Sequence, residues 1–449
     1  MGKIINSRYN LDFEKSEYYI LYNLFTKKSI RFNKDKKDLI KSILKNPQDF
    51  INYDYTKYLI REGFLLDICE QKNQLEALKA KHNQLILGNE ILNINVIPTN
   101  DCNFNCIYCF QKHEKGTTIS NDVEENILKY LNNNLHKFKK LYINWFGGEP
   151  LTIKEKIISL NKRIKNICRE KKVSYLGRIT TNGYELDLNT FKNLFKNNVL
   201  IYYISIDGSE QFHNRQRPLK NGGETYRRII ENLLDIKNNI KSNVFKIEIR
   251  VNISKSNLKD MENFLKEYRD LFSNDSRFRL VLDKVNEWGE KVSEIKDELI
   301  NYKDIIKWAD IAQEYGIKMS NLTVDNLETE ICQAPQKNGF IIMYDGTVRK
   351  CQMAMVSDTD KNIDLIGKIN KDGELIKNKN EQLWVKPNLS KQCEYCVALP
   401  LCLGSKCVYN KFIKGENCTN VRDNLINYLQ LMDESNLNNI DIIEVELNV

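Results

Sequence analysis

The chain runs to 449 residues, 41% hydrophobic and 29% charged, and its 68 Lys and Arg against 60 Asp and Glu leave a net charge of +8. Such a length is too great for one core and asks for two to four domains. No apolar run approaches membrane-spanning length, Met1-Gly2-Lys3-Ile4-Ile5-Asn6 is no apolar signal region, and no basic patch is interleaved with aromatics. A cytoplasmic protein that binds neither membrane nor nucleic acid is therefore expected. In a reducing compartment the 12 cysteines point to metal ligation rather than disulfides, and with 4 His the imidazole ring is not the main ligand. Cys69 and Cys168 stand apart; all other cysteines fall within 102–109 and 332–418.

Residues 1–70 read as a small module. A hairpin over 18–32 turns near Thr26-Lys27-Lys28. Short helices follow over 35–44 and 55–62, the second closed by Gly63, and 64–67 returns as a strand. The arrangement is winged-helix-like, but neither helix carries the polar and basic row of a DNA reader. Capture of a peptide as an added strand and a ligand-free cap both remain open. Residues 71–90 form a linker helix.

From 91 to 315 strands alternate with helices. The strands cover 92–99, 141–146, 174–181, 200–207, 246–253 and 278–283; the helices cover 122–136, 153–171, 188–196, 225–238, 258–272 and 303–315. This alternation predicts a parallel sheet with right-handed crossovers. The units are too few for a closed eight-stranded barrel, and sites gather at the C-terminal ends of such strands.

Directly after the first of these strands, Cys102, Cys106 and Cys109 stand at C-x3-C-x2-C. Three thiolates on one loop hold three irons of a 4Fe–4S cube and leave the fourth without a protein ligand. A zinc site would need a fourth donor, for which His113 is the nearby candidate. Trp145-Phe146-Gly147-Gly148-Glu149-Pro150 follows the second strand; its glycines permit close approach and its carboxylate suits an ammonium. The third strand ends in Thr180-Thr181-Asn182-Gly183 and the fourth in Ser205-Ile206-Asp207-Gly208, with His213-Asn214-Arg215-Gln216-Arg217 beyond. His213 reads more readily as structural than as catalytic. Arg250 and Asn252 alternate on the fifth strand, as cofactor contacts or as caps of a strand end.

Toward the C-terminus come Cys332 and Cys351, separated by a hairpin over 339–348 that turns at Asp345-Gly346. Cys393, Cys396, Cys402, Cys407 and Cys418 follow. Their C-x2-C step suits zinc as well as iron–sulfur. Residues 426–449 form a tail with a helix and an alternating strand over 440–447.

The Cys102–Cys109 loop, the Gly147–Pro150 turn and the 205–217 segment together resemble the radical S-adenosylmethionine enzymes. The seven later cysteines are similar to that family's SPASM extension, although the family usually has one residue fewer before Cys407. The resemblance implies an α/β fold: a partial (β/α)6 barrel over 91–315 and a SPASM iron–sulfur domain over 316–425. It implies S-adenosylmethionine bound at the open iron and cleaved by one electron to a 5′-deoxyadenosyl radical. Cofactor contacts are then expected at Tyr108, Gly147, Gly148, Glu149, Ser205, Arg217 and Asn252. Two auxiliary 4Fe–4S clusters are implied, one on Cys332, Cys351 and Cys407, the other on Cys393, Cys396, Cys402 and Cys418. No catalytic residue is assigned beyond the radical cluster.

The module at 1–70 resembles the precursor-recognition element of peptide-maturing enzymes. The expected partners are thus a precursor peptide with its leader and a flavodoxin- or ferredoxin-type reductant. A Cys thioether is the expected product, because the first auxiliary cluster has three protein ligands. Carbon–carbon crosslinking and formylglycine formation on a sulfatase are the alternatives within enzymes, and the long stretch ahead of Cys102 weighs against the second. A non-catalytic electron-transfer or precursor-chaperone protein would need neither the 147–150 nor the 205–217 segment.

Overall fold

The computed structural model describes residues 2–286, 295–320, 332–352, 362–404, 407–409, 425, 426 and 429. Cys418 and the strand expected over 440–447 lie outside the described residues. The chain divides into two units, residues 1–86 with 322–332 and 387–449, and residues 87–321 with 333–386.

In the first unit, β1 (Ile4–Asn6), β2 (Asn10–Lys15), β3 (Tyr18–Asn23) and β4 (Lys28–Asn33) precede α1 (Lys37–Lys45), α2 (Asp54–Arg61), β5 (Leu65–Asp67) and α3 (Ile68–Leu87). The expected hairpin is β3–β4, closed by the Asn23–Lys28 pair. Its turn is built by the buried Asn23, whose Oδ1 accepts from Phe25 N and Thr26 N at 3.0 and 2.9 Å. Asn side chains commonly stabilise turns in this way. Two strands the sequence reading did not foresee complete the picture: β2 flanks β3, and β1 pairs antiparallel with β5. Tyr19, Leu21, Ile30, Ile40, Ile43, Leu59 and Phe64 form the core between sheet and helices.

In the second unit, β6 (Ile91–Ile97), α4 (Asn121–Asn134), β7 (Lys140–Trp145), α5 (Lys154–Glu170), β8 (Ser174–Thr181), α6 (Leu188–Lys196) and β9 (Val199–Ser205) alternate as expected. They continue through α7 (Glu210–Gln216), α8 (Tyr226–Asn239), β10 (Lys246–Ile253), α9 (Lys255–Leu258), α10 (Met261–Phe272), β11 (Phe278–Lys284) and α11 (Tyr302–Glu314). The six strands lie parallel in sequence order. Alternate side chains point to the helices: Leu141, Ile143 and Trp145 on β7 and Ile247, Ile249 and Val251 on β10 are fully buried.

The hairpin expected in the C-terminal iron–sulfur region instead extends this sheet. β12 (Gly339–Met343) pairs parallel with β6, Ile342 opposite Val96, as a seventh parallel strand. β13 (Thr347–Arg349), β14 (Leu365–Ile369) and β15 (Leu375–Lys377) continue it antiparallel. The physical reason is that Phe340–Met343 are apolar and buried on both faces, and they cover an edge of β6 that would otherwise present unpaired peptide groups.

The fully buried Asn161 of α5 ties helix to sheet. Its Oδ1 accepts from Trp145 Nε1 at 3.2 Å and from the Tyr175 hydroxyl, and its Nδ2 donates to Asn197 O at 2.5 Å. Asn161→Leu should strand these groups and lower unfolding free energy by about 2–4 kcal/mol in urea titration. An unchanged midpoint would refute this role.

Candidate functional site at the C-terminal mouth of the parallel sheet

The loop that leaves β6 carries Cys102 and Cys106, both 9% exposed, and the half-buried Cys109. Its start is zipped to the turn after β7: Gly148 N donates to Thr99 O at 3.1 Å and Glu149 N to Asp101 O at 2.8 Å. A Cβ on Gly148 would lie 2.0 Å from Asp101 O, and one on Gly147 (φ +128°) 2.4 Å from Thr99 O. The close approach that both glycines permit is therefore to the cysteine loop itself. No larger residue fits there.

The far side of the loop is held by the chain beyond α7. Asn105 N donates to Pro218 O at 2.8 Å, Ile107 N to Gln216 O at 3.1 Å, and Lys220 N to Asn103 O at 2.9 Å. Asp101 fixes the first cysteine from below, accepting from Cys102 N, Gly116 N and Lys220 Nζ at 2.8–3.0 Å.

Glu149 is 1% exposed. Its Oε1 accepts from Leu151 N and Thr181 Oγ1 at 2.9 and 2.6 Å, and its Oε2 accepts from Asn182 N at 2.6 Å. Burial pushes its pKa up to about 7 despite these donors. Both oxygens thus serve the fold, and an ammonium meets this carboxylate only as a further partner. Asn182 in turn donates to Asn103 Oδ1 at 2.7 Å, which carries the tie back to the cysteine loop.

Three of the expected cofactor contacts converge around a residue to which no role was given, Asp207. The Tyr108 hydroxyl donates to Asp207 Oδ2. Asn252 donates from N and Nδ2 to Asp207 Oδ1 at 2.8 and 3.1 Å, and its Nδ2 also reaches the Tyr108 hydroxyl at 3.1 Å. Arg217 Nη1 donates to the same hydroxyl at 2.6 Å and lies 3.7 Å from Asp207 Oδ2. Its guanidinium also sits over the rings of Phe104 and Tyr108. Burial opposes the Arg217 charge, but Cys106, Tyr108 and Asp207 outweigh it and hold the group protonated far above its ordinary range. The polar strand end Ser205-Ile206-Asp207 was the available signal for Asp207. Ser205 itself is half-buried at the end of β9, opposite Arg250.

His213 is wholly buried and accepts from Asp207 N through Nδ1 at 3.2 Å. Burial and then Arg217 hold its pKa well below the usual value, so the ring is neutral and structural. Asn214 Oδ1 accepts from Thr225 N and Tyr226 N, both at 2.9 Å, and so caps α8. Arg250 pairs with Asp283 of β11 at 2.6 Å, both side chains partly exposed. Cys168 is buried in α5, its thiol pushed up to about 12 by burial, and Cys69 is exposed.

His113 Nε2 lies 3.3 Å from Cys109 Sγ, and its Nδ1 lies 3.0 Å from Asn100 O. The imidazole therefore adjoins one thiol of the loop. Three thiols on one anchored loop are the donor set that an iron–sulfur cube with one open iron would use, although among the described residues no three such side chains are already drawn together as a metal site.

Cys351, Cys393 and Cys402 are buried, Cys396 is half-buried, and Cys332 and Cys407 are exposed. In the first unit, Ser390 Oγ accepts from Cys393 N at 3.4 Å and contacts Cys393 Sγ at 3.3 Å. Gly404 (φ +66°) brings backbone close enough that a Cβ there would stand 3.6 Å from that sulfur.

Fold and loop together place three cysteines at the C-terminal mouth of a sheet built from parallel strands and crossover helices. Residues 96–268 match the model of the Radical SAM superfamily. A radical SAM cyclopropyl synthase, TigE of Paramaledivibacter caminithermalis, is 29% identical over 208 residues, 41% of this chain and 42% of the relative. An uncharacterized protein of Methanocaldococcus jannaschii is 29% identical over 128 residues, 28% of this chain and 41% of the relative. The chain thus matches about two fifths of the length of each of these relatives. The solved structure of anSMEcpe with bound AdoMet and Cp18Cys peptide is similar in fold, with a TM-score of 0.57 at 18% identity, over 78% of this chain and 98% of that one. Among the described residues no helix is long and apolar enough to cross a membrane.

Two variants test the anchoring. Asp207→Ala leaves Arg217 buried without its counter-charge and should cost about 3–5 kcal/mol in urea unfolding, with loss of iron bound at the loop. Glu149→Gln must turn an amide NH2 toward an internal donor and should cost about 1–3 kcal/mol. Wild-type stability in either variant would refute the corresponding tie.

Proposed function

We propose that this protein is a radical SAM peptide maturase. The observation that carries the reading is the pairing of an anchored three-cysteine loop with an N-terminal sheet whose outer strands, β2 and β4, have no further strand beside them among the described residues. An extended leader segment can add to such an edge, its main chain supplying affinity and its alternate side chains specificity. The bound peptide of the anSMEcpe structure and the synthase activity in the TigE name support a peptide substrate and carbon-centred chemistry for this chain as well.

S-adenosylmethionine on a cluster held by Cys102, Cys106 and Cys109 would supply the hydrogen-abstracting radical. The chain's own part is placement. Tyr108, Arg217 and Asn252, gathered on Asp207, hold the end of the loop; Gly147, Gly148 and Glu149 hold its start. Ser205 stands at the mouth as a further cofactor contact. Two auxiliary clusters on the later cysteines and an external flavodoxin- or ferredoxin-type reductant complete the proposal.

For the product we propose a Cys thioether, because seven cysteines cannot give four ligands to each of two cubes. Carbon–carbon bond formation is the second reading, favoured by the match to a cyclopropyl synthase. Anaerobic incubation with candidate precursors should yield a product lighter by two hydrogens. A thioether removes one thiol from iodoacetamide labelling, whereas a carbon–carbon bond does not. The Cys102/Cys106/Cys109→Ala variant should release no 5′-deoxyadenosine under dithionite while retaining auxiliary iron. Continued release would overturn the assignment of the radical cluster.

A further inference from the structure

The N-terminal elements and the Cys393–Cys402 stretch belong to one unit, and their contacts there are specific. Arg8, in the turn between β1 and β2, donates from Nη1 to Glu394 O at 2.5 Å. Its guanidinium lies 5.0 Å from the centre of the Tyr395 ring. Both partners fall between Cys393 and Cys396. The backbone of Arg8 is held in turn, its N donating to Gln71 Oε1 of α3 at 2.7 Å. Farther along α3, Lys79 pairs with Glu394 at 3.4 Å, and the buried His82 meets Leu403 O through Nδ1 at 2.6 Å. Leu403 and Gly404 both have positive φ, +46° and +66°, directly after Cys402. The cysteine-bearing stretch is thus clamped at both ends by the N-terminal elements.

Beside this clamp lie buried donors without acceptors. Tyr9 is 0% exposed and stacks on Phe25, yet its hydroxyl has no hydrogen-bond partner among the described residues; the Gln71 Nε2 amide is likewise buried and unpartnered. A buried donor left unsatisfied is costly, so such a group generally marks a missing acceptor. Burial raises the Tyr9 pKa, Arg8 opposes the rise, and Cys396 adds to it. Cluster sulfurs are acceptors of this kind. Hydrogen bonds and positive charge beside them stabilise the reduced state and raise the reduction potential.

We propose that the N-terminal elements form part of the shell of an iron–sulfur cluster on Cys393, Cys396 and Cys402, with the Tyr9 hydroxyl donating to a cluster sulfur and the Arg8 charge favouring the reduced cluster. The inference rests on the auxiliary clusters proposed above. It makes the peptide-recognition elements and a redox centre parts of a single folded unit.

The test uses the full-length Cys102/Cys106/Cys109→Ala protein, reconstituted anaerobically so that only auxiliary signals remain. Potentiometric titration followed by electron paramagnetic resonance is compared for this parent and for added Tyr9→Phe or Arg8→Gln. Tyr9→Phe keeps the ring stack, and Arg8→Gln serves as an independent second probe. Each should lower the ratio of reduced to oxidised cluster at a fixed potential by about two- to tenfold, a tenfold change being about 59 mV for one electron. A merely structural role would leave the potential in place. Unchanged potentials in both variants, with auxiliary iron retained, would overturn the inference alone. A parent that binds no iron would overturn the auxiliary-cluster reading and the inference with it.

Discussion

The interaction on which the candidate site depends is the buried carboxylate of Asp207. It stands just past the C-terminal end of β9 and gathers Asn252 from β10, Tyr108 from the cysteine loop and Arg217 from beyond α7. A charge without solvent contact persists only where donors surround it, and here each donor comes from a different segment. The network therefore holds the end of the cysteine loop against two strand ends at once. The start of the loop is fixed by different means, the backbone zipper of Gly148 and Glu149 onto Thr99 and Asp101. Both ends of the segment that carries the three thiols are thus fixed by the fold rather than by a ligand.

The first unit answers a different demand. Its three-stranded sheet leaves β2 and β4 without outer neighbours among the described residues, while Arg8, Lys79 and His82 hold the stretch around Cys393 and Cys402. An uncovered strand edge presents peptide groups that another extended segment can pair with. α3 supplies much of the contact to the cysteine stretch, through Lys79 and His82 directly and through Gln71, which holds Arg8.

Much of the barrel was legible in the chain. The strands at Ser174–Thr181 and Lys246–Ile253 and the helix Leu188–Lys196 fall where periodicity places them, because each has one apolar face against a polar one. β2 was missed although Leu11 and Phe13 alternate with Asp12 and Glu14; two apolar positions make a short signal, and the strand is fixed by pairing with the strongly apolar β3. The hairpin at β12 was legible as a hairpin, but its partner was not. Alternation and an Asp-Gly turn report local geometry and carry no information about which distant edge the strand will cover.

The sequence by itself determined the donor chemistry of the site. Three thiols at close spacing, a Gly-Gly pair after the second barrel strand and polar residues at strand ends are local properties, set by residue type and separation. Only the tertiary structure decided what those residues touch. Tyr108 and Asn252 lie 144 positions apart and meet because parallel pairing brings the ends of β9 and β10 beside the loop from β6. The same holds for Glu149, whose oxygens are claimed by Leu151, Thr181 and Asn182, and for Asp207, whose role appears once its donors arrive. A buried polar side chain takes its function from whichever groups satisfy it, and long-range packing brings those groups together.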